Sequence, residues 1–203
     1  EWRIGTEHEK FGFKKKDLKP ISFKDIQTIF LKLNSEYQWK KIEENNNIIE
    51  LRKNNSSITL EPGGQIELSG APLKNLFETC REVNQHHDEL NAVCNEYEIE
   101  FMGIGVLPKW GLNELKLIPK ERYNIMSKYM PLVGKKGLDM MMRTTTIQVH
   151  INDPLQVYLK DCVVIFIHDQ GCWMVLPNSH ADTRDMSCIN IIIWAKAFTK
   201  VFS

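Results

Sequence analysis

The sequence predicts an α+β fold built on an antiparallel sheet. Short segments that alternate apolar and polar residues are separated by turn-forming residues, which is typical of β-hairpins. Longer segments with apolar residues at helical spacing lie between them. The order mixes hairpins with helices and does not repeat strand–helix units, which favours an antiparallel sheet over a parallel one. The 203 residues suffice for one domain, or one and a fraction.

The first strand and the first helix follow directly from local patterns. Arg3–Phe13 is predicted as a strand, with Gly5 and Gly12 near its ends. Ser22 and, three residues later, Asp25 have the spacing of a capping box, in which two side chains satisfy free backbone N–H groups at a helix start. Apolar residues recur behind this pair at helical spacing, so a helix is predicted there.

A hairpin and a long helix are predicted next. Ile48–Lys53 and Ser57–Glu61 flank an Asn-Asn turn, and Gln65–Ser69 is the following short strand after a Pro-Gly-Gly turn. From Leu73 to Tyr97 apolar residues recur at helical spacing, which predicts an amphipathic helix.

The last elements of the predicted sheet come after residue 100. Phe101–Leu107 is predicted as a strand interrupted by two glycines, and Pro119 is suited to the first position of a helix. Arg143–Asn152 alternates well enough to predict a further strand.

Composition narrows the class of protein. Lys and Arg number 26 and Asp and Glu number 26, so the net charge is zero, which argues against a nucleic-acid-binding protein or one that grips an anionic membrane. Apolar runs are shorter than the roughly 20 residues that a membrane span needs. Five cysteines without a tight array do not indicate a disulfide-stapled secreted scaffold, and they fit a reducing compartment.

The composition changes near the C-terminal end. Residues 156–203 carry eight charged side chains, whereas residues 1–155 carry 44. We therefore expect residues 154–203 to form an unassigned, atypical C-terminal segment. The chain opens on Glu1 and not on Met, so we expect the true start, with any targeting peptide, to be missing.

Acidic residues give the first chemical signal. Glu7 and Glu9 lie two apart in a predicted strand, so both carboxylates lie on one face and His8 lies on the other. Hard oxygen ligands at this spacing suit Mg²⁺ or Mn²⁺. A solvated strand face is the alternative, and this pair alone favours that alternative.

Two further strands strengthen the signal. Glu61 ends one strand, and Glu67 shares a face with Gln65 in the next. In the last predicted strand, Thr146 and Gln148 lie on one face together with Thr144 and His150. A sheet with one wet face is common in antiparallel proteins, but this face is unusually rich in Glu, Gln and His.

Several long motifs resemble the glutamate–cysteine ligase family of the plant and proteobacterial type. They are Ile4–Phe13, Ile58–Pro72, Gly105–Trp110, Lys120–Met126, and Tyr129–Pro131 with Gly137–Val149. The resemblance covers about residues 1–153, which would be the N-terminal part of a catalytic domain. It implies a glutamine-synthetase-like curved antiparallel sheet with helices on its outer face, incomplete in a chain of this length.

The resemblance also implies an activity and a site. Members join the glutamate γ-carboxylate to the cysteine amine with ATP and Mg²⁺ (or Mn²⁺), through a γ-glutamyl phosphate, in the first step of glutathione biosynthesis. By motif position the metal ligands would be Glu7, Glu9, Glu61 and Glu67. The catalytic candidates are Arg122 and Arg143, which would clamp phosphates or the glutamate α-carboxylate. The substrate-binding candidates are Lys10, Gln65, Thr146 and Gln148.

Departures from the family pattern leave alternatives open. His150 stands where the family usually has Asn, and the pattern is lost from about Pro154 onward. We therefore expect either a fragment with an unrelated or frame-shifted tail, or a divergent short form. It is a ligase, a truncated non-catalytic relative, or another carboxylate–amine ligase of the same fold. The family works in the cytosol or the plastid stroma, and the sequence does not determine an oligomeric state.

Overall fold

The computed structural model of the chain describes residues 3–152 and, as strand backbone, residues 167–168, 171–172 and 189–193. This part contains helices and antiparallel strands, so the predicted α+β class is confirmed. The helices are α1 (Phe23–Tyr37), α2 (Leu76–Asn95), α3 (Glu121–Val133) and α4 (Gly137–Arg143). The strands are β1 (Arg3–Lys14), β2 (Lys40–Glu44), β3 (Asn47–Lys53), β4 (Ser56–Leu60), β5 (Ile66–Ser69), β6 (Ile99–Met102), β7 (Ile147–Asn152), β8 (Ile167–His168), β9 (Gly171–Cys172) and β10 (Ile189–Ile193).

Strand β1 is an inner strand of the main sheet. The strand order is β10-β7-β1-β5-β4-β3-β2, and every pairing is antiparallel. The C-terminal half of β1 also pairs with β6. Because β1 lies between β5 and β7, residues far apart in sequence become neighbours across the sheet.

Local sequence explains the helix start and the hairpins. The Ser22 side chain accepts a hydrogen bond from the Asp25 backbone N–H, and the Asp25 side chain accepts one from the Ser22 backbone, so the predicted capping box is present. The Asn45-Asn46 and Asn54-Asn55 pairs all have positive φ, which is the backbone that a two-residue hairpin turn needs and that Asn tolerates.

The two faces of the sheet differ sharply. Helices α1 and α2 cover one face and bury the apolar side chains of the hairpin strands beneath them; the fully buried members include Leu51, Ile58, Leu60, Ile66 and Leu68. A second core cluster forms around Phe11, Trp110 and Met141, where α4 and the segment before α3 pack against the end of β1. The opposite face of β1, β4 and β5 carries Glu7, Glu9, Thr59 and Glu67.

Some predicted boundaries are wrong. Arg143 does not begin a strand, because it is the last residue of α4, and β7 begins only at Ile147. Strand β6 ends at Met102, well short of the predicted Leu107, and β2 (Lys40–Glu44) was not predicted. The predicted C-terminal segment, residues 154–203, lies outside the described residues apart from β8, β9 and β10.

No helix in the described part of the chain combines the length and the apolar character that crossing a membrane requires.

Candidate functional site

Strand register brings the predicted carboxylates together. Glu9 lies directly opposite Glu67 on β5, and Glu67 lies opposite Thr59 on β4. Glu7 lies between Ser69 of β5 and Gln148 of β7. Paired residues in a sheet project to the same face, so these side chains form one polar surface.

This surface is the floor of a cavity of about 640 Å³, which we name the carboxylate cavity. Its lining includes the four glutamates predicted as metal ligands, namely Glu7, Glu9, Glu61 and Glu67. Arg122 and Gln148 also line it, as do Lys120 and Tyr123 from the start of α3. The structure therefore places six of the ten predicted site residues around one space.

Two carboxyls in this cavity, those of Glu9 and Glu61, have raised pKa values. Burial, together with the charges of Glu67, Glu61 and Glu7, raises the pKa of Glu9 to about 8. The hydrogen bond that Glu9 Oε2 accepts from the Thr146 N–H, at 2.7 Å, opposes this rise. Burial and the Glu67 charge raise the pKa of Glu61 to about 7. Like charges that converge in a partly buried space disfavour each other's charged form, so the cavity has a deficit of positive charge.

Helix α3 holds Glu61 in place. The Tyr123 hydroxyl is fully buried and lies 2.5 Å from the Leu60 carbonyl oxygen and 3.2 Å from Glu61 Oε1. Lys120 Nζ donates to the same Leu60 carbonyl at 2.8 Å. These bonds fix the chain where β4 ends, and so they fix the position of the Glu61 carboxylate.

The other carboxylates have partners on the sheet itself. Glu67 Oε1 accepts hydrogen bonds from Ser69 Oγ at 2.7 Å and from Thr59 Oγ1 at 3.2 Å. Glu7 Oε1 lies 3.0 Å from His150 Nε2. His150 thus lies beside a predicted metal ligand.

Arg143 and Gln65 do not line the carboxylate cavity. Arg143 forms an ion pair with Asp139 at 2.7 Å and donates to the Leu107 carbonyl at 3.0 Å. Gln65 is buried and donates to the Thr144 carbonyl at 2.9 Å, while its own oxygen accepts from the Gly63 N–H. Gln65 thus ties the segment before β7 to the turn between β4 and β5, and Arg143 ties α4 to the segment after β6.

Lys10 and Thr146 line a different space. Together with His8, His87 and Asn91, they surround a cavity of about 350 Å³ on the α2 side of β1, which we name the helix-side cavity. Burial lowers the pKa of Lys10 to about 8 and the pKa of His8 to about 4. Lys10 was predicted as a substrate-binding residue of the same site as Glu9. Strand alternation instead puts the Lys10 side chain on the opposite face of the sheet from Glu9.

The chemistry of the carboxylate cavity fits Mg²⁺ or Mn²⁺. Among the described residues no three His, Cys, Asp or Glu side chains are arranged to hold a single ion. Mg²⁺ is usually held by one or two carboxylates, with water and substrate phosphates as the remaining ligands, so it does not require such a group. The raised pKa values of Glu9 and Glu61 show carboxyls that a divalent cation would stabilise in their charged form.

Lys120 and Tyr123 were not among the site residues predicted from the sequence. Both lie in the Lys120–Met126 motif that supplied Arg122, and a Lys and a Tyr beside an Arg were a signal for an anion-facing helix start. Their contacts to Leu60 could not be foreseen, because those contacts depend on how α3 packs against β4.

Sequence comparison agrees with the motifs. The sequence model of Glutamate-cysteine ligase family 2 matches residues 3–164. Glutamate–cysteine ligase A, chloroplastic, of Oryza sativa subsp. japonica is 54% identical over 151 residues, which are 74% of this chain and 31% of the relative. The chloroplastic enzymes of Nicotiana tabacum and Arabidopsis thaliana are 51% and 49% identical over 152 residues, which are 75% of this chain and 29% of each relative.

The chain thus spans less than a third of the length of the curated relatives that it matches. The family match nevertheless covers most of the chain and contains all ten predicted site residues. This chain belongs to glutamate-cysteine ligase family 2.

Proposed function

We propose that residues 1–153 are the N-terminal part of a glutamate–cysteine ligase catalytic domain. The proposed reaction joins the γ-carboxylate of glutamate to the amine of cysteine, with ATP as co-substrate, through a γ-glutamyl phosphate. It is the first step of glutathione biosynthesis. The observation that carries the proposal is the convergence of Glu7, Glu9, Glu61 and Glu67 on one cavity in a chain of this family.

The proposed reaction has two displacement steps. The glutamate γ-carboxylate attacks the γ-phosphorus of ATP, and ADP leaves. The cysteine amine then attacks the acyl carbon, phosphate leaves, and the amine loses a proton. Mg²⁺ or Mn²⁺, held by the cavity glutamates, would offset the charge on the phosphate oxygens.

The protein side chains have separable roles in this proposal. Arg122 and Lys120, at the start of α3, supply positive charge to a cavity otherwise lined by carboxylates, and they would bind phosphate oxygens or the α-carboxylate of glutamate. Gln148, opposite Glu7, would donate a hydrogen bond to substrate. We keep Arg143, Gln65, Lys10 and Thr146 as proposed site residues whose contribution comes from outside the carboxylate cavity.

A non-catalytic relative is the second candidate. It is favoured by the position of Arg143, a predicted catalytic residue that pairs with Asp139 outside the carboxylate cavity. Under this alternative the cavity binds a divalent cation but turnover does not occur. A third candidate is a ligase of the same fold that uses another amine, and competition between cysteine and other amino acids as acceptor would identify it.

Turnover and substitution test the proposal together. ADP release is measured with glutamate, cysteine, ATP and Mg²⁺, each omitted in turn, for the chain and for Glu67→Gln. We expect a loss of about 100-fold or more in the variant, because a side chain proposed to hold the metal ion is removed. Glu43→Gln is the control, since Glu43 is on β2 and its side chain is 44% exposed.

Each result has a defined meaning. Equal activity in Glu67→Gln and the unsubstituted chain would refute the site. A chain that unfolds cooperatively, binds Mg²⁺ and shows no turnover would favour the non-catalytic relative.

We also propose a plastid location. It rests on the chloroplastic relatives in rice, tobacco and Arabidopsis, and the alternative from the sequence is the cytosol. Fluorescence imaging of the tagged full-length gene product would distinguish the two.

A further inference from the structure

A buried lysine on the helix side of β1 has no acidic partner within the described residues. Lys10 exposes 6% of its surface, and its ammonium group donates one hydrogen bond, of 3.3 Å, to the His8 carbonyl. No ion pair accompanies it in residues 3–150. An ammonium group that leaves water with so little compensation is costly, so an anion in contact with it would be strongly favoured.

The space next to Lys10 is lined by further hydrogen-bond donors. His8 comes from β1, and His87 and Asn91 come from α2. Both imidazoles line the same cavity as Lys10, so the three groups face one space. Neutral imidazole and amide N–H groups donate hydrogen bonds to an anion as well, so the cavity does not require charged histidines.

Acidic groups near this cavity are turned to other partners. Glu9 also contributes to the lining, and its main-chain carbonyl lies against Gly103. Its carboxylate accepts a hydrogen bond from the Thr146 N–H and lines the carboxylate cavity instead. Glu67 acts on Lys10 from the other face of the sheet. Asp88 follows His87 on α2 and acts on that exposed imidazole.

A second buried group next to the cavity lacks a partner. His86 is 3% exposed, and its Nε2 makes no hydrogen bond within the described part of the chain. Its ring centroid lies 6.0 Å from that of His87. Polar side chains buried to this degree normally have a partner, so the interface between α2 and β1 leaves a polar group of the protein unsatisfied.

We propose that the helix-side cavity is a binding site for a small oxyanion, a carboxylate or a phosphate, which Lys10 and the neighbouring imidazoles hold. The site is separate from the carboxylate cavity, because β1 lies between them and the two present opposite charge. A volume of about 350 Å³ accommodates such an anion with water.

Anion titrations of the full chain test this site. Inorganic phosphate and succinate are the probes, each followed by calorimetry and by the imidazole ¹H–¹³C signals of His8 and His87, with sodium chloride at equal ionic strength as reference. We expect saturable binding of at least one probe and shifts of both imidazoles. The tighter probe identifies the class of anion.

Substitutions link the binding to Lys10. Lys10→Met is expected to weaken binding about tenfold or more, because it removes a charged hydrogen-bond donor. Lys19→Met is the control, since the Lys19 side chain is 75% exposed and lies beyond the end of β1. If Lys10→Met unfolds the chain, His87→Ala is measured in place of Lys10→Met. His87 is exposed and lines the helix-side cavity, so its substitution removes a hydrogen-bond donor from the cavity without opening the core.

Two outcomes would overturn the proposal. One is the absence of saturable binding of either probe at tens of millimolar. The other is binding that Lys10→Met, or His87→Ala in its place, leaves as strong as in the Lys19→Met control.

Discussion

Replacing Glu9 by Gln is expected to change how the stability of the chain depends on pH. The folded-state pKa of Glu9 is about 8, and its ordinary value is 4.5. Between these values the unfolded chain loses the Glu9 proton while the folded chain keeps it. At this group the folded state therefore binds more protons, and the Glu9 contribution to the free energy of unfolding falls as pH rises from about 5 to 8.

The size of the effect follows from proton counting. Each carboxyl that stays protonated only in the folded state contributes a slope of up to about 1.4 kcal/mol per pH unit. Glu61, with a pKa of about 7, adds its own contribution at the lower end of this range. Glu9→Gln removes one of the two contributions, so its stability should fall less steeply with pH, most visibly between pH 7 and 8.

Urea unfolding at several pH values, in buffer with a metal chelator, measures these slopes. Glu43→Gln is the matched control, because it removes a carboxylate that lies outside the carboxylate cavity and is 44% exposed. The control should keep the slope of the unsubstituted chain. Equal slopes in the unsubstituted chain and in Glu9→Gln would refute the account of a strained carboxylate cluster.

Two stability predictions follow from single contacts. Tyr123→Phe should lower the free energy of unfolding by about 0.5–1.5 kcal/mol, because Leu60 and Glu61 lose the buried hydroxyl while Lys120 still binds the Leu60 carbonyl. The control is Tyr129→Phe on the same helix, which should change the free energy of unfolding little because Tyr129 is 58% exposed. Equal effects of the two substitutions in thermal unfolding would be evidence against the role of the Tyr123 hydroxyl. Gly63→Ala should cost about 1–3 kcal/mol in urea unfolding, because its Cβ would lie 2.2 Å from the Met142 carbonyl oxygen. Gly103→Ala, whose Cβ would lie 3.4 Å from its nearest neighbour, should cost much less, and a smaller loss for Gly63→Ala than for Gly103→Ala would show that the close packing there is misassigned.

Period-two patterns predicted the polar face correctly where regular strands carry it. Glu7, Glu9 and Glu67 lie on β1 and β5, and alternation alone puts their side chains on one face. The capping box of α1 and the Asn-Asn turn were equally local features. Such elements are predictable because a few neighbouring residues determine them.

The same reasoning failed where packing decides. The Thr-rich run after Arg143 alternates like a strand, yet Met141 and Met142 are drawn into the core next to Phe11, and this packing extends α4 to Arg143. Arg143 then pairs with Asp139 one helical turn earlier. The contacts of α3 with the end of β4 likewise join residues about 60 positions apart, and no local pattern indicates them.

Binding of Mg²⁺ by the carboxylate cavity tests the central claim most directly. Calorimetric titration of the chain with Mg²⁺ in two buffers of different ionisation enthalpy gives the affinity and the number of protons released. Because Glu9 and Glu61 hold protons near neutral pH, we expect saturable binding of Mg²⁺ with release of protons at pH 7. Glu9→Gln and Glu67→Gln should lose both the binding and the proton release, whereas Glu43→Gln should keep them. Absence of binding at millimolar Mg²⁺, or binding that these substitutions leave unchanged, would contradict it.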